Sequence, residues 1–232
     1  FRKGGIVFSD AVTTVSPTYA REIQTEFFGE HLDGLLRSRA GKLHGVVNGL
    51  DMNEYNPQID GLIPAHFSPD DLSGKAECKR ALQHEMWLSE RDDVPLIGMV
   101  SRLTSQKGLD LVRCVLTALM DHNDVQFAVL GTGDRAYEDF FRWASSAYPG
   151  RIAAHIELNH ALSHRIYAGC DFFLMPSLFE PCGLSQMMSM RYGTLPIVRK
   201  TGGLADTVDP YNEYTGTGDG FAFDNYNAHE KM

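Results

Sequence analysis

The sequence lacks the features that would place it outside water. No apolar run approaches the ~20 residues that a membrane span requires, and the opening Phe1-Arg2-Lys3-Gly4-Gly5 is not a signal peptide. Cysteine is scarce: Cys78, Cys114, Cys170 and Cys182 are widely spaced with no C-x-x-C pair, which indicates neither a zinc cluster nor a disulfide framework. Basic charge is also short. A formal net charge of −9 argues against a broad nucleic-acid-binding face, so any phosphate must be met locally. Internal repeats and low-complexity segments are missing too. With 43% hydrophobic and 22% charged residues, the composition excludes a disordered or fibrous chain. A cytosolic or stromal protein without membrane association is expected.

What remains is a regular alternation of short apolar runs with longer helical segments. From residue 95 the pattern reads as strand Pro95 to Ser101, helix Gly108 to Met120, strand Val125 to Leu130, helix Tyr137 to Ala147 and strand Arg151 to Ile156. Helix His160 to Ala168, strand Phe172 to Met175, helix Leu184 to Tyr192, strand Leu195 to Val198 and helix Leu204 to Val208 follow. Strands that are apolar throughout and alternate with helices predict an α/β fold, a Rossmann-like parallel sheet covered on both faces. Upstream, Ile6 to Phe8 reads as the tail of a strand. Ser16-Pro17 reads as an N-cap and first helical residue before a helix from Tyr19 to Phe27, and Asp70 to Trp87 as a further helix. Gly220 to Phe223 is strand-like. The chain does not begin with Met and stops soon after that last strand, so both ends are expected to continue in something longer.

A parallel sheet of this kind binds ligands beyond the carboxyl ends of its strands, and four of those ends carry cations or glycines. The strand ending at Ser101 leads to Arg102 and Lys107, a forked donor and a mobile point charge suited to a diphosphate. The next ends in Gly131-Thr132-Gly133, a turn that allows close backbone approach. Ala136 stands where a dinucleotide fingerprint would want a further glycine, which weakens a dehydrogenase reading. After Met175 comes Pro176-Ser177-Leu178-Phe179-Glu180-Pro181-Cys182-Gly183-Leu184-Ser185-Gln186, a loop carrying a carboxylate into a helix start whose free N–H groups favour an anion. Arg199-Lys200-Thr201-Gly202-Gly203 is a second glycine-rich helix start and reads as a further anion-sized opening. His160 and His164 share one helix face, but the Glu of H-E-x-x-H is missing and no third ligand is evident, so no metal is expected.

These motifs together resemble those of the bacterial and plant glycogen and starch synthases, glycosyltransferase family 5, retaining enzymes of the two-domain GT-B architecture. The matching segments are Val15 to Ile23, Asn48-Gly49-Leu50-Asp51, Ser101 to Gly108, Phe179 to Gln186 and Thr201 to Val208. The most specific is Glu180-Pro181-Cys182-Gly183-Leu184. The resemblance implies that residues 1–45 are the last part of an N-terminal acceptor domain with the interdomain linker. It implies that residues 46–232 are the Rossmann-like donor domain, truncated at its C-terminus, with most of the acceptor domain missing. It implies transfer of glucose from ADP-glucose to the non-reducing end of an α-1,4-glucan with retention, with no metal or other cofactor, in the bacterial cytoplasm or the plastid stroma.

By the same resemblance, Arg102 and Lys107 hold the diphosphate and stabilise its departing charge, and Glu180 accepts hydrogen bonds from glucose hydroxyls. Gly183, Leu184 and Ser185, beside Cys182, meet the phosphate or sugar. Gly131 and Gly133, with Thr201, Gly202 and Gly203, line the pocket, and Asn48 reaches the sugar from the hinge. Relatives usually stack an aromatic on the adenine where this chain has Leu158, so the choice of ADP over UDP rests on the other motifs. The chain alone is expected to bind nucleotide without catalysing transfer. The alternatives are another retaining GT-B enzyme with a different donor, or a non-catalytic nucleotide-sugar- or glucan-binding module.

Overall fold

Apolar strands can lie side by side only where helices shield both faces of the sheet, and the chain supplies a helix after almost every strand. The computed structural model describes residues 2–228. In chain order the elements are α1 (Arg2–Phe8), β1 (Val12–Thr14), α2 (Pro17–Glu22), α3 (Asp33–Ser38), β2 (Leu43–Gly45), α4 (Ser73–Glu85), β3 (Leu96–Val100), α5 (Leu109–His122) and β4 (Gln126–Leu130). They continue with α6 (Arg135–Ala147), β5 (Ile152–His155), α7 (His160–Gly169), β6 (Phe172–Met175), α8 (Ser185–Arg191), β7 (Leu195–Arg199), α9 (Gly202–Thr207) and β8 (Phe221–Phe223). Among the described residues no helix is long and apolar enough to cross a membrane.

Six strands form one sheet in the order β5-β4-β3-β6-β7-β8, and every neighbouring pair is parallel. Gly98 of β3 lies between Ala128 of β4 and Phe173 of β6, which fixes the register at the centre. The first three strands run outward from β3 in one direction and the last three in the other. The order therefore reverses between β3 and β6, and a crevice opens at their carboxyl ends, where sheets of this topology take ligands. The expected α/β fold is the one observed.

Period-two alternation divides the core. Ala128 and Leu130 of β4 face the side covered by α4, α7, α8 and α9, where Leu82, Leu96, Ile166, Phe173, Tyr192 and Leu204 are buried. Phe127 and Val129 face the other side, packed with Met99, Leu109, Leu116 and Phe141 beneath α5 and α6. Lys75 of α4 braces the first side, its Nζ donating to the carbonyls of Ala168, Cys170 and Tyr192 and to Thr194 Oγ1 at 2.7–3.0 Å. Burial pulls its pKa down to about 8.

The N-terminal segment forms a smaller unit. β1 and β2 pair in parallel, Val12 opposite Leu43, over a cluster of Ala20, Leu36 and Leu43. Two expectations fail here. Ile6–Phe8 belongs to helix α1 rather than to a strand, because no neighbouring strand offers it a ladder and Ser9 closes the turn back onto the Gly5 carbonyl. The helix expected through Phe27 stops at Glu22, although Ser16 caps its start as expected, accepting from Tyr19 N.

Candidate active site

The loops after β3 and β6 meet at the crevice. Ser105–Lys107 forms a single 3-10 turn, which aims Lys107 across at Glu180: Nζ and Oε2 are 2.5 Å apart, with side chains only 15% and 9% exposed. Ser177 Oγ donates to the same carboxylate oxygen at 3.2 Å. The resemblance to the synthases implies a diphosphate for Lys107 and a sugar for Glu180. The structure brings the two into one ion pair, shielded enough that removing either partner leaves a costly unpaired charge.

Gln106, which sequence reasoning passed over, stitches the two loops. Its carbonyl accepts from Leu178 N at 2.9 Å and its Nε2 donates to the Phe179 carbonyl at 3.3 Å. Its Oε1 accepts from Arg102 Nη2 at 2.9 Å, which parks the exposed guanidinium at the rim of the crevice. Arg199, at the end of β7, serves as a strut, donating to the carbonyls of Ser177 and Leu178 at 3.3 and 2.7 Å. Burial lowers its pKa against the opposing pull of Glu22. The local signal for Gln106 was an amide set between two cations, but its long-range partners become visible only once the strands are ordered.

The helix starts of α8 and α9 turn out differently. No side chain caps α8, and Ser185, its first residue, lines an open cavity of about 480 Å³. Cys182 is buried just before it, while Leu184 is 40% exposed. Gln186 reaches back from the first turn to the carbonyls of Cys182 and Gly183 at 3.2 and 2.8 Å and holds the turn in shape. The start of α9 is filled by the chain itself. Glu22 Oε1 accepts from Gly202 N and from Thr201 Oγ1, each at 3.0 Å, and Gly203 N donates to the carbonyls of Glu180 and Pro181 at 3.1 Å. Gly202 has φ 46°, and a Cβ there would stand 1.9 Å from the Glu180 carbonyl oxygen. The opening expected at Thr201–Gly203 is thus occupied, and these residues hold the Glu180 loop against α9.

The cavity lies beside the crevice, lined by Val100, Ser101 and Gly131 at the ends of β3 and β4, by Leu158 and His160, and by Ser185. Gly131 allows the close approach expected of it, since a Cβ would stand 1.8 Å from the Ser101 carbonyl. The Gly133 N–H is spent on Glu138 Oε1 at 3.0 Å. Leu158 is 87% exposed on the cavity wall and presents an aliphatic side chain to a ligand. Asn48 is exposed on the connector after β2, outside the cavity lining.

The histidine pair gains a partner that sequence reasoning did not find. His160 Nε2 lies 3.2 Å from Glu54 Oε1, a residue on the connector 106 positions earlier, and 3.3 Å from His164 Nε2.

A family model described as "Glycosyl transferases group 1" matches residues 86–231, more than half of the chain. The chain belongs to this family. A second model, the starch synthase catalytic domain, matches residues 1–38. Over all 232 residues the chain is 56% identical to glycogen synthases of Bacillus cereus and Geobacillus stearothermophilus, and it spans 48% of each, about half the length of these relatives. Among solved structures it is similar to the catalytic domain of starch synthase IV from Arabidopsis thaliana bound to ADP and acarbose. That likeness has a TM-score of 0.90 and 39% identity over 97% of this chain and 47% of that one. A sucrose-phosphate synthase from Thermosynechococcus elongatus, at 19% identity and a TM-score of 0.64 over 98% of this chain and 48% of that one, shares the fold. The resemblance to glycogen and starch synthases therefore holds, and the sheet with its covering helices matches the C-terminal domain of a GT-B glycosyltransferase.

Proposed function

We propose that the chain supplies the donor side of a glycogen or starch synthase reaction, in which glucose passes from ADP-glucose to the non-reducing end of an α-1,4-glucan with retention of configuration. The observation that carries the reading is the Lys107–Glu180 pair at the reversal point of the sheet, beside an open cavity, in a chain 56% identical to glycogen synthases. The likeness to a starch synthase domain bound to ADP and acarbose supports the same donor and acceptor classes.

The nucleoside occupies the cavity between Gly131, Leu158 and Ser185, and its diphosphate runs toward the uncapped start of α8. Arg102 and Lys107 face the bond that breaks. As the glycosidic C–O bond opens, negative charge collects on the departing diphosphate, and two cations with the partial positive charge of the helix start lower the energy of that state. Protein cations, rather than a metal ion, carry this role. For Lys107 to reach phosphate, it must give up part of its contact with Glu180. The freed carboxylate then accepts glucose hydroxyls and places the anomeric carbon, so donor binding exchanges an internal ion pair for two ligand contacts. Thr201, Gly202 and Gly203 act through Glu180, and Asn48 approaches the sugar from the hinge side. The acceptor glucan is met by a domain facing this one.

Isothermal titration of the chain with ADP, UDP and NAD tests the donor half. ADP is expected to bind more tightly than UDP, and NAD not at all. A chain that binds neither nucleoside diphosphate would sink the proposal, tight NAD binding would replace it, and a preference for UDP would move the donor class to another nucleotide sugar.

A further inference from the structure

Away from the Lys107–Glu180 pair, His160 and His164 stand one turn apart on α7, and the connector between β2 and α4 brings Glu54 against them. Their ligand atoms all lie within 4.8 Å of one another. His164 is buried and held from behind. Its Nδ1 is 2.7 Å from Asp60 Oδ2, the oxygen that also accepts from the Tyr192 hydroxyl at 2.5 Å, and its ring stacks on Tyr55 with centroids 4.8 Å apart. A carboxylate only accepts, so Nδ1 of His164 donates to Asp60 and Nε2 is the ring atom left to face a ligand. His164 Nε2 lies 3.3 Å from His160 Nε2, which is itself 3.2 Å from Glu54 Oε1.

A cation among the three atoms satisfies all of them, and the spacing fits. Metal–nitrogen bonds of 2.0–2.1 Å in tetrahedral geometry give ligand–ligand edges of about 3.3 Å, against the observed 3.3 and 3.2 Å. The remaining separation, between Glu54 and His164, closes by rotation of the Glu54 side chain, which is 48% exposed. The Asp60 carboxylate behind His164 is the partner that commonly orients a metal-bound imidazole and raises its basicity.

We propose that His160, His164 and Glu54 form a site for a divalent transition metal of the zinc type, with Asp60 orienting His164 and a fourth position open to water. Two imidazoles and one carboxylate suit zinc and disfavour magnesium, which seeks oxygen ligands in octahedral geometry. The ion pins the connector to α7 at the rim of the cavity, which His160 also lines. Its role is structural, and it is distinct from the charge stabilisation assigned to Arg102 and Lys107.

The test is titration of the chelator-treated intact polypeptide with zinc chloride, followed by calorimetry and by thermal unfolding. The wild type is expected to bind one equivalent, to show a raised Tm in zinc, and to show no saturable binding of magnesium. His160→Ala and Glu54→Gln, both at exposed side chains, should each weaken zinc binding at least about tenfold while leaving the circular dichroism spectrum unchanged. Absence of zinc binding overturns the site, as does binding that keeps wild-type affinity in His160→Ala. Retention of affinity in Glu54→Gln alone overturns the three-ligand arrangement. Cobalt(II) in place of zinc adds a second readout, since the intense visible bands of a tetrahedral centre are expected in the wild type and their absence counts against the geometry.

Discussion

Two helix starts at the same edge of one sheet, α8 after β6 and α9 after β7, each begin at or just after a glycine and end in opposite states. At α8 no side chain caps the first turn, and Ser185 opens onto a cavity. At α9 the first N–H groups are consumed by Glu22 and by the carbonyls of Glu180 and Pro181. A helix N-terminus attracts negative charge wherever it comes from. When the chain delivers its own carboxylate, as at α9, the helix start becomes a joint, and at α8, where it delivers none, the start stays uncapped. The joint is reciprocal. Glu22 at the end of α2 caps α9, while Asp206 in α9 accepts from Ser16 Oγ, from Thr18 N at 3.0 Å and from Thr18 Oγ1 at 2.6 Å, capping α2. One Glu22 oxygen, Oε2, remains buried without a hydrogen bond, so that cap uses half of its carboxylate.

The sharpest way to break the contrast is at the open start. In the polypeptide that carries an acceptor domain with this chain, Lys107→Ala should lower turnover at least about tenfold, because a lost charge contact to a departing group costs a few kcal/mol. The rate of glucose transfer from ADP-glucose measures it, and unchanged turnover would refute the assigned role. The same substitution strands Glu180 in a shielded position, so stability should fall as well. A denaturant titration run beside the kinetics separates the two effects.

At the occupied start the expected loss is in stability. Glu22→Ala removes the acceptor for Gly202 N and Thr201 Oγ1, and a lost cap costs about 1–2 kcal/mol, or roughly 2–8 °C in Tm for a domain of this size. Thermal unfolding reads the loss directly. Nucleotide affinity at α8 should change little, since the two starts have different occupants. If Glu22→Ala instead abolished ADP binding, the division between joint and ligand site would be wrong.

Much of this was legible before any coordinates. The alternation from residue 95 onward carried the sheet, because each strand is apolar on both sides and only a covered parallel sheet tolerates that. Arg102, Lys107, Glu180 and Gly183 were readable because strand ends converge in such folds. The occupant of α9 was not readable. Nothing near Thr201 announces Glu22, which lies 179 residues earlier and arrives through the packing of α2 on α9. Glu54 escaped for the same reason, since a ligand set spread over 106 positions leaves no spacing motif. The strand expected at Ile6 to Phe8 failed because a three-residue apolar run has no preference until a neighbour exists. Trp87, expected to close the helix from Asp70, lies just beyond α4 and stands 87% exposed with φ 59°, where the chain turns toward β3.

The gentlest test lies at Asp206. Burial works to raise its pKa, but the hydrogen bonds from Ser16 and Thr18 and the charge of Arg21 outweigh it, and the folded-state value falls below that of a free carboxyl. Below the unfolded value of about 3.9 the unfolded chain takes up a proton that the folded chain still refuses. The stabilisation is therefore complete above that pH and is lost as pH falls through the lower folded value. At neutral pH Asp206→Asn should cost about 0.5–1 kcal/mol, since an amide still accepts from Thr18 but loses the charge near the start of α2. Below pH 4 the difference between mutant and wild type should shrink, because the unfolded wild type then gains a proton that its folded form still refuses. A gap in unfolding midpoint that stays constant from pH 7 to pH 3 would show that the ionised carboxylate contributes nothing to the joint, and the cap on α2 would then rest on hydrogen-bond geometry alone.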